Sequence, residues 1–535
     1  MPNLEAVLKA KKTAARVKSK RVQRAQRPAQ KKTRHTDLAA QDRLIPPPDC
    51  VVVRMYRIGH GDCFLLAFAS DQSDGPVYIL IDCGYKPGSS AFIGTTAREV
   101  TASIRAATGG HVHVVVITHE HQDHVNGFTK ENFKDVTFGE AWFAWTEDED
   151  DKLANSLRER FNDRLAALIG ARNRLSASGD STTKIDDFLA FELGGDEESL
   201  RSRDISLAAM PGVSQNKRAL ALVRELSGGR CKYLRPHGTA AKVEGTSNLR
   251  VFTLGPPRDE ALLRSLNPVG QEGFHKLSAG SPESYFFAAV ADGTKSGQVA
   301  PFAPRYCMEW NMALRAKGKG AFWREHYGTS KPNLQAPPEE TEDDAQWRRI
   351  DQDWLYSADQ LALDMNSDTN NGSLVLAFEL TPGGKVLLFA ADAQRGNWAS
   401  WAKGEWKDGD RSVSCRDLLG RTVLYKVGHH GSHNATLKGE LEDEYANLSW
   451  MGTGEASREF STMITAVRPW AETQKGWDHP LKAIKDALLE KAGGRVFQSD
   501  TDFSQMKATN HQADWAAFRS RVTGHHLYLD YVVQY

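Results

Sequence analysis

Three histidines and one aspartate stand within six residues, at positions 119–124, directly after an apolar run typical of a buried strand. The motif reads H-E-H-Q-D-H and follows V-H-V-V-V-I-T at 112–118. Imidazole and carboxylate groups together form the ligand set of zinc, manganese or iron rather than that of magnesium or calcium. A turn after a strand can converge such side chains, so the spacing of these residues predicts two adjacent divalent ions, zinc or manganese. A solvated polar turn is the alternative.

The H-x-H-x-D-H pattern after a strand resembles the signature of the metallo-β-lactamase superfamily. Upstream, I-G-H-G-D-C-F-L-L at 58–66 and V-Y-I-L-I-D-C-G at 77–84 look like the opening strands of the soluble hydrolase domain in the ComEC competence (DNA-uptake) proteins. That family reads G-Q-G-D and then I-D-G-G, so His60 and Cys83 are departures. The resemblance implies an αββα sandwich with a two-metal site along one edge.

Further blocks follow in the order of that family. They are N-G-S-L-V-L at 371–376, K-V-L-L-F-A-A-D at 385–392, L-Y-K-V-G-H-H-G-S at 424–432, W-D-H-P at 477–480 and V-F-Q-S-D at 496–500. H-H-G-S after an apolar strand is specific for the family, whereas H-x-H-x-D-H identifies only the superfamily. The similar blocks cover 51–135 and 370–505, about half of the chain.

The resemblance also implies a ligand role for the polar residues of these blocks. His119 and His121 would hold one metal, and Asp123 and His124 would hold the other. Asp392 would bridge the two ions. Since this aspartate ends an apolar run that otherwise predicts a buried strand, a special role is favoured over that of a strand-end turn carboxylate.

One of the adjacent pair His429 and His430 would complete the second metal site. Spacing does not decide which, because neighbouring side chains at a strand end point apart, and we favour His429. Asp82 would act from outside the ligand set by fixing imidazole tautomers; a simple turn aspartate is the alternative. Many relatives add a third histidine to the first site, but the corresponding loop here reads P-P at 256–257. His237 is either a substitute or a surface-loop histidine.

The reaction expected of this set is attack on phosphorus by a metal-activated hydroxide, with the ions also holding the non-bridging oxygens of a phosphodiester. Asp123 and Asp82 belong to the expected catalytic set. Four further residues are available for phosphate contact or leaving-group protonation: Lys426, Ser432, His433 and His479. Histidine suits proton transfer because its pKa lies near neutrality. Strand packing or capping is the alternative for all four, and His479 leads because it matches a family position.

Charge is unevenly distributed along the chain. Lys and Arg (68) equal Asp and Glu (68), yet residues 1–36 hold 12 basic residues and one acid, which leaves a net charge of −11 on the remainder. The basic residues at 9–34 predict a flexible arm that could neutralise the phosphates of nucleic acid. A solubilising tail, or an arm docked on its own acidic body, is the alternative.

The composition is that of an ordinary soluble globular protein, with 40% hydrophobic and 25% charged residues among 535. No apolar run approaches the ~20 residues that span a bilayer, so we expect no membrane segment, although the ComEC hydrolase domain is attached to a membrane channel. The N-terminus lacks a signal pattern and the six cysteines lack a C-x-x-C pair. These features predict a cytoplasmic location.

The predicted architecture is α/β (α+β), a metallo-β-lactamase αββα sandwich interrupted by a large helical insert. Helical spacing at 146–230 and an acidic, proline-containing loop at 337–344, expected to be mobile, mark that insert. It is also a candidate surface for a protein partner. The predicted parts are a basic arm and linker at 1–48, a first half-domain at 49–145, a largely helical insert or cap at 146–370 with core strands at about 232–256, and a second half-domain at 371–535.

Three functions compete on this evidence. A metal-dependent nuclease acting on DNA or RNA is preferred, because the block order resembles the DNA-uptake hydrolase and the basic arm could hold a polymer. A hydrolase of a small phosphodiester, cyclic nucleotide or ester is favoured if the insert roofs the cleft and excludes polymer. A catalytically silent binding or regulatory protein is the third, and the retention of nearly every ligand type argues against it. A nuclease of this kind would suit a defence-system effector, but no residue establishes that setting.

Overall fold

The computed structural model describes residues 43–71, 75–178, 182–194, 214–274, 356–474, 477–509 and 512–535. The basic arm at 9–34 and the acidic loop at 337–344 lie outside the described residues. Over the described ranges the chain is mixed α/β, which confirms the predicted class. No helix in these ranges has both the length and the apolar character needed to cross a membrane.

The described ranges contain seventeen strands and twelve α-helices. The strands are β1 (Cys50–Tyr56), β2 (Phe64–Phe68), β3 (Val77–Ile81), β4 (His111–Val116), β5 (Thr137–Ala144), β6 (Cys231–Leu234), β7 (Gly238–Thr239), β8 (Arg250–Gly255), β9 (Val375–Glu379), β10 (Val386–Phe389), β11 (Glu405–Asp408), β12 (Arg411–Ser414), β13 (Thr422–Lys426), β14 (Ser461–Ile464), β15 (Val496–Gln498), β16 (Val522–Gly524) and β17 (Tyr528–Gln534). The helices are α1 (Ala97–Thr108), α2 (Gln122–Val125), α3 (Lys152–Ser178), α4 (Thr183–Leu193), α5 (Gln215–Leu226), α6 (Glu260–Leu263), α7 (Tyr356–Asn371), α8 (Arg395–Trp401), α9 (Cys415–Gly420), α10 (Arg468–Ala471), α11 (Lys482–Lys491) and α12 (Gln512–Ser520).

The strands form two large sheets and one small one. The first has eight strands in the order β16-β17-β1-β2-β3-β4-β5-β6, the second has six in the order β15-β14-β13-β10-β9-β8, and the third is β12-β11-β7. The pairs β3–β4 and β4–β5 are parallel in the first sheet, as are β10–β13 and β13–β14 in the second. Because parallel strands end at the same edge of a sheet, the loops that follow them gather at one edge of each large sheet.

The two large sheets pack face to face. Phe64 of β2 and Phe389 of β10 meet edge-on with ring centroids 5.3 Å apart, inside a buried cluster to which both sheets contribute. Helices α1 and α5 cover the outer face of the first sheet, and α8, α9 and α11 cover that of the second. Strands β2 and β3 are buried along their whole length. Their unbroken apolar runs are typical of strands covered on both faces.

Three helices inside the predicted insert form a separate, smaller core. Leu168 of α3, Ile185 and Leu189 of α4, and Met365 of α7 are buried together there. Helix α4 also packs against α2, the short helix that contains the end of the H-E-H-Q-D-H motif. Two strands of the same segment, β6 and β8, instead belong to the large sheets.

Candidate metal centre

The H-E-H-Q-D-H motif lies where a parallel strand of the first sheet ends. Strand β4 stops at Val116, and the chain passes through His119 into α2, which begins at Gln122. In the second sheet, Asp392 follows β10 and the His429-His430 turn follows β13. The packing of the two sheets therefore brings together three loops that are far apart in the sequence.

Three groups of three buried, ligand-type side chains meet at this edge, and His124 belongs to each of them. In each group the ligand atoms lie within 4.8 Å of one another: the first is His119, His124 and Asp392, the second is Asp123, His124 and His430, and the third is Asp62, Asp82 and His124. The Nε2 atom of His430 is 3.2 Å from Asp123 Oδ2. The structure thus brings His430, and not the favoured His429, together with Asp123 and His124.

Asp392, a member of the first group, also lies close to His430 of the second. Its Oδ1 lies 3.3 Å from His124 Nε2, and its Oδ2 lies 3.8 Å from His430 Nε2 and 4.0 Å from His119 Nε2. His429 Nε2 is also 3.8 Å from Oδ2. On the far side, His121 Nδ1 is 3.0 Å from His119 Nε2. This central position is the one that a ligand bridging two ions requires.

Outer partners from the sandwich fix the ring orientation of two of these histidines. His124 Nδ1 is 2.8 Å from Asp82 Oδ2, and Asp82 is itself anchored because its Oδ1 accepts a hydrogen bond from the Thr118 backbone N–H (2.9 Å). His430 Nδ1 is 3.0 Å from Thr465 Oγ1. With Nδ1 engaged on the outside, each ring directs Nε2 into the cluster, which is how outer contacts select the tautomer of a metal-binding histidine.

The other two histidines are held from different sides. His119 Nδ1 lies 3.2 Å from Ser373 Oγ, and this leaves Nε2 facing the cluster. His121 is engaged through its other nitrogen: Nε2 is 2.9 Å from Glu192 Oε1, so that Nδ1 faces His119. Glu192 is buried and belongs to α4 of the insert, and the neighbouring Phe191 ring packs on the His121 imidazole with centroids 4.3 Å apart. The insert therefore contributes directly to the site.

Several ligand atoms at the centre lack hydrogen-bond partners. Asp123 Oδ1, His124 Nε2 and Asp392 Oδ1 are buried and have no such partner among the described residues. His124 Nε2 and Asp392 Oδ1 approach to 3.3 Å without forming a hydrogen bond. Buried polar atoms are paired in the great majority of cases. All three atoms are of the kinds that act as ligands of zinc or manganese. The residues thus fit a divalent-metal centre.

The charges of the buried groups lead to the same conclusion. The cluster contains five buried carboxylates and two buried lysines: Asp62, Asp82, Asp123, Glu192, Asp392, Lys86 and Lys426. Removing charge from water is costly unless it is compensated nearby. Three negative charges remain after the lysines are counted, and divalent cations would compensate them.

The pKa values at the centre follow from burial and from these neighbours. Burial alone would raise the pKa of Asp392, but His124, His429 and His430 hold it well below its ordinary range. Burial lowers the pKa of His119 well below the usual value and that of His429 to about 4. Burial also opposes protonation of His124, yet the adjacent carboxylates raise its pKa well above the usual value. Ionised carboxylate and neutral imidazole are the metal-binding forms, and a cation would replace the proton on His124.

The backbone at the site adopts conformations that residues with a Cβ rarely take. Asp82, Ala391, His429 and His430 have φ angles of 53°, 48°, 42° and 53°. Such conformations persist only where the surrounding structure fixes them, and they concentrate at functional sites. Gly84 serves the same loops, since a Cβ at this position would overlap the backbone of His124. The loop after β3 can therefore lie directly against α2.

Two of the further catalytic candidates are buried and make contacts within the fold. Lys426 is buried; its Nζ contacts the Asp62 carboxylate, donates to the Ala391 carbonyl (3.1 Å) and lies 3.8 Å from Asp392 Oδ1. Ser432 is buried too, and its backbone N–H donates to the His429 carbonyl (2.8 Å), which closes the histidine turn. These contacts favour charge compensation for the lysine and a turn-closing role for the serine.

The predicted histidines outside the metal motif lie in different surroundings. His479 stacks on His60, with 3.4 Å between His479 Nδ1 and His60 Nε2. The ring centroids of His479 and His429 are 5.5 Å apart. His433 Nε2 instead approaches Asn267 Oδ1 (3.4 Å). His237 is exposed and stacks on Trp406, so the structure places it as a surface-loop histidine. His479 thus lies beside the centre, whereas His433 and His237 face other parts of the fold.

Sequence reasoning did not single out four residues that the structure brings to the site: Asp62, Lys86, His60 and Glu192. Asp62 and His60 stand in the G-H-G-D motif, where His60 was noted only as a departure from the family pattern and Asp62 was given no role. Lys86 Nζ lies 3.6 Å from Asp123 Oδ2 and 2.7 Å from the Phe191 ring centroid, and burial lowers its pKa to about 8. Glu192 stands in a helical segment with no motif, so no local signal could have identified it.

Known protein families give no further assignment. No family model matches the chain, and no curated protein matches it either.

Proposed function

We propose that this protein is a hydrolase of the metallo-β-lactamase fold that uses two divalent ions, zinc or manganese, to cleave phosphodiesters. The observation that carries the proposal is the convergence of His119, His124, His430, Asp123 and Asp392, with unpartnered ligand atoms at the centre. Two facing sheets with helices on their outer sides, and a site at the strand ends, support the αββα sandwich that the resemblance to the ComEC hydrolase domain implies.

In this proposal each ion is held from loops of both sheets. His119 Nε2 and His121 Nδ1 would hold the first ion, and Asp123, His124 and His430 the second. Asp392 would be shared, since its two oxygens face different members of the cluster. A pair of bound ions supplies a nucleophilic oxygen at neutral pH and stabilises the charge that develops on phosphate oxygens.

The residues around the ions would orient the metal-binding histidines and give hydrogen bonds to the substrate. Asp82 and Glu192 keep His124 and His121 in the tautomers that face the cluster. His479 is a candidate hydrogen-bond donor to the leaving oxygen: it is half-buried beside His429 and is neutral, because burial lowers its pKa well below the usual value. A neutral imidazole N–H can give a hydrogen bond to a leaving oxygen without adding charge to the site.

The preferred substrate is a nucleic acid strand or a fragment of one. The block order shared with the DNA-uptake hydrolases supports this choice, and the basic residues at 9–34 would add affinity through phosphate neutralisation. A small phosphodiester is the second candidate, and one observation favours it: a cavity of small-molecule size adjoins His119 beneath the insert helices.

The test is hydrolysis by the purified full-length chain loaded with Mn²⁺ or Zn²⁺. Linear DNA, RNA and bis-p-nitrophenyl phosphate are offered separately, and metal content is measured on the same sample. We expect cleavage of at least one substrate, its loss in Asp392→Asn, and wild-type activity in Asp410→Asn, an exposed aspartate of the same half. Cleavage of the small ester alone would select the second candidate. Full metal loading without hydrolysis of any of them would overturn the proposal.

A further inference from the structure

A cavity of about 340 Å³ lies between the metal motif and the helical insert. His119 and Thr118 form part of its wall, and helices α3, α5, α6 and α7 supply most of the remainder. Its volume falls in the range of small-molecule sites. Because a metal-ligand candidate lines it, a molecule bound at the metal centre could extend one arm into this space.

The cavity combines apolar and cationic walls. Leu157, Phe161 and Leu263 give it an apolar surface, while six of its lining side chains are Lys or Arg and five are Asp or Glu. Apolar walls with a few polar groups are typical of sites that bind one organic molecule. The basic side chains of the lining outnumber the acidic ones by one.

Two of the arginines are held in place and still have an unused donor. Arg160 Nη1 donates to Glu260 (2.8 Å), and Arg224 Nη2 lies 3.5 Å from Glu147. Arg160 Nη2 and Arg224 Nε are nevertheless buried without a hydrogen-bond partner among the described residues. A buried guanidinium N–H without an acceptor is unfavourable. An anionic ligand would supply the acceptors that these donors lack.

Lys217 adds a further positive charge to the same wall. It lies on α5 and lines the cavity, and its ammonium group forms no ion pair within the described ranges. Together with Arg160 and Arg224 it would match a phosphate group, which accepts several charge-assisted hydrogen bonds at once.

We propose that this cavity binds one arm of the phosphodiester substrate and that this arm ends in a second phosphate. The inference rests on the proposed function and makes it more specific, because it restricts the substrate to a nucleotide-sized arm with a terminal phosphate. The apolar wall contacts the body of the arm, and the Arg160, Lys217 and Arg224 side chains contact its terminal phosphate.

The test compares the dinucleotide TpT with its 5′-phosphorylated form pTpT, using the metal-loaded full-length chain. We expect kcat/KM for pTpT to exceed that for TpT by about 10- to 100-fold, the range that a charge-assisted hydrogen bond supplies. The double variant Lys217→Gln/Arg224→Gln should lose this preference, so that its kcat/KM values for pTpT and TpT become equal. The control Arg98→Gln changes an exposed arginine of α1 outside the cavity and should retain the preference.

The possible results separate this inference from the proposed function. Equal hydrolysis of TpT and pTpT by the wild type overturns the inference and leaves the hydrolase intact. If neither dinucleotide nor bis-p-nitrophenyl phosphate is cleaved, the proposed function fails. Calorimetric titration then tests separately whether the cavity binds a phosphate group. Binding of thymidine 5′-phosphate that is weakened at least about 10-fold in the double variant supports the phosphate site; equal binding, or none, overturns it.

Discussion

Two carboxylate–imidazole pairs hold the candidate centre, and they come from different parts of the molecule. Asp82 follows β3, in the sheet that carries the motif, and its Oδ2 lies 2.8 Å from His124 Nδ1. Glu192 belongs to α4, whose core is separate from that of the two sheets, and its Oε1 lies 2.9 Å from His121 Nε2. The contacts are alike in chemistry and distance. They differ in what keeps the carboxylate in place.

That difference has consequences for stability and for metal binding. Asp82 is fixed by the Thr118 backbone N–H and hydroxyl (2.9 and 2.6 Å), so it remains in place as long as β3 and β4 stay paired. Glu192 depends on the packing of α4 with α3 and α7. Small cores are easier to open than large ones, so the ligand group around His121 should be lost first when the protein is perturbed.

The largest effect is expected where the two half-sites join. Asp392→Asn keeps the shape of the side chain but removes the negative charge that faces His119, His124 and His430. We expect loss of both ions and a fall in hydrolysis greater than the roughly 100-fold that removal of an outer partner typically causes. Elemental analysis after dialysis and initial rates measure this. Retention of both ions at wild-type rates would show that Asp392 does not join the groups.

Asp82→Asn should have the next largest effect, because it alters the carboxylate–imidazole pair of Asp82 and His124, which the first large sheet holds in place. The amide no longer holds the His124 ring at Nδ1 with a full negative charge, so the imidazole becomes a weaker metal ligand. We expect metal affinity to fall about 10- to 100-fold, measured by competition with a coloured chelator. The loss should be concentrated in one of the two ions, and an equal loss of both would contradict the division into half-sites.

Glu192→Gln should lower the affinity for the other ion, the one near His121, by about 10-fold. The amide can still approach His121 Nε2 but no longer stabilises its N–H with a full charge. The matched control is Glu159→Gln, an exposed glutamate of α3 in the same insert. If both variants bind metal as the wild type does, Glu192 has no positioning role and the comparison with Asp82 fails.

The smallest effect tests the insert by itself. Asp151 caps α3: its Oδ1 accepts from the backbone N–H groups of Leu153 and Ala154, and its carboxylate pairs with Arg258. The hydrogen bond from Arg258 is the largest cause that lowers its pKa, to about 2. Because the folded pKa lies below the unfolded one, the stabilisation is present above pH 4 and is lost as pH falls through about 2.

Asp151→Ala should therefore cost about 1 kcal/mol at pH 7, the typical effect of removing a helix cap. The difference from wild type should shrink as pH falls toward 2. Hydrogen exchange of α3, α4 and the strands provides the readout. Faster exchange in the helices with unchanged strands supports an insert that opens independently, whereas equal acceleration everywhere would show a single cooperative unit.

Sequence periodicity was sufficient where burial is local. The apolar runs before the H-E-H-Q-D-H motif and before Asp392 predicted buried strands, and they form β4 and β10 within the two large sheets. The polar residues directly after such runs predicted a site at the strand ends, where the structure brings the H-E-H-Q-D-H loop, Asp392 and the histidine turn together. The strand ends could be predicted because a short run of buried apolar residues fits few structures other than a strand.

The adjacent pair His429 and His430 shows where local information ends. Both have positive φ, and only the packing of β13 against β14, with Thr465 at the next loop, brings His430 Nε2 toward Asp123. The sequence supplies two equivalent imidazoles at this turn. A choice between them requires the positions of groups more than thirty residues away.

The amino-acid sequence by itself determined the types of ligand, their order and the strands that end beside them, because each depends on residues within one turn or one strand. Tertiary structure alone decided that Glu192 would face His121, that Asp62 would contact Lys426, and that a cationic cavity would adjoin His119. These contacts join residues separated by tens to hundreds of positions. No periodicity carries such information, since it arises only when sheets and insert pack together.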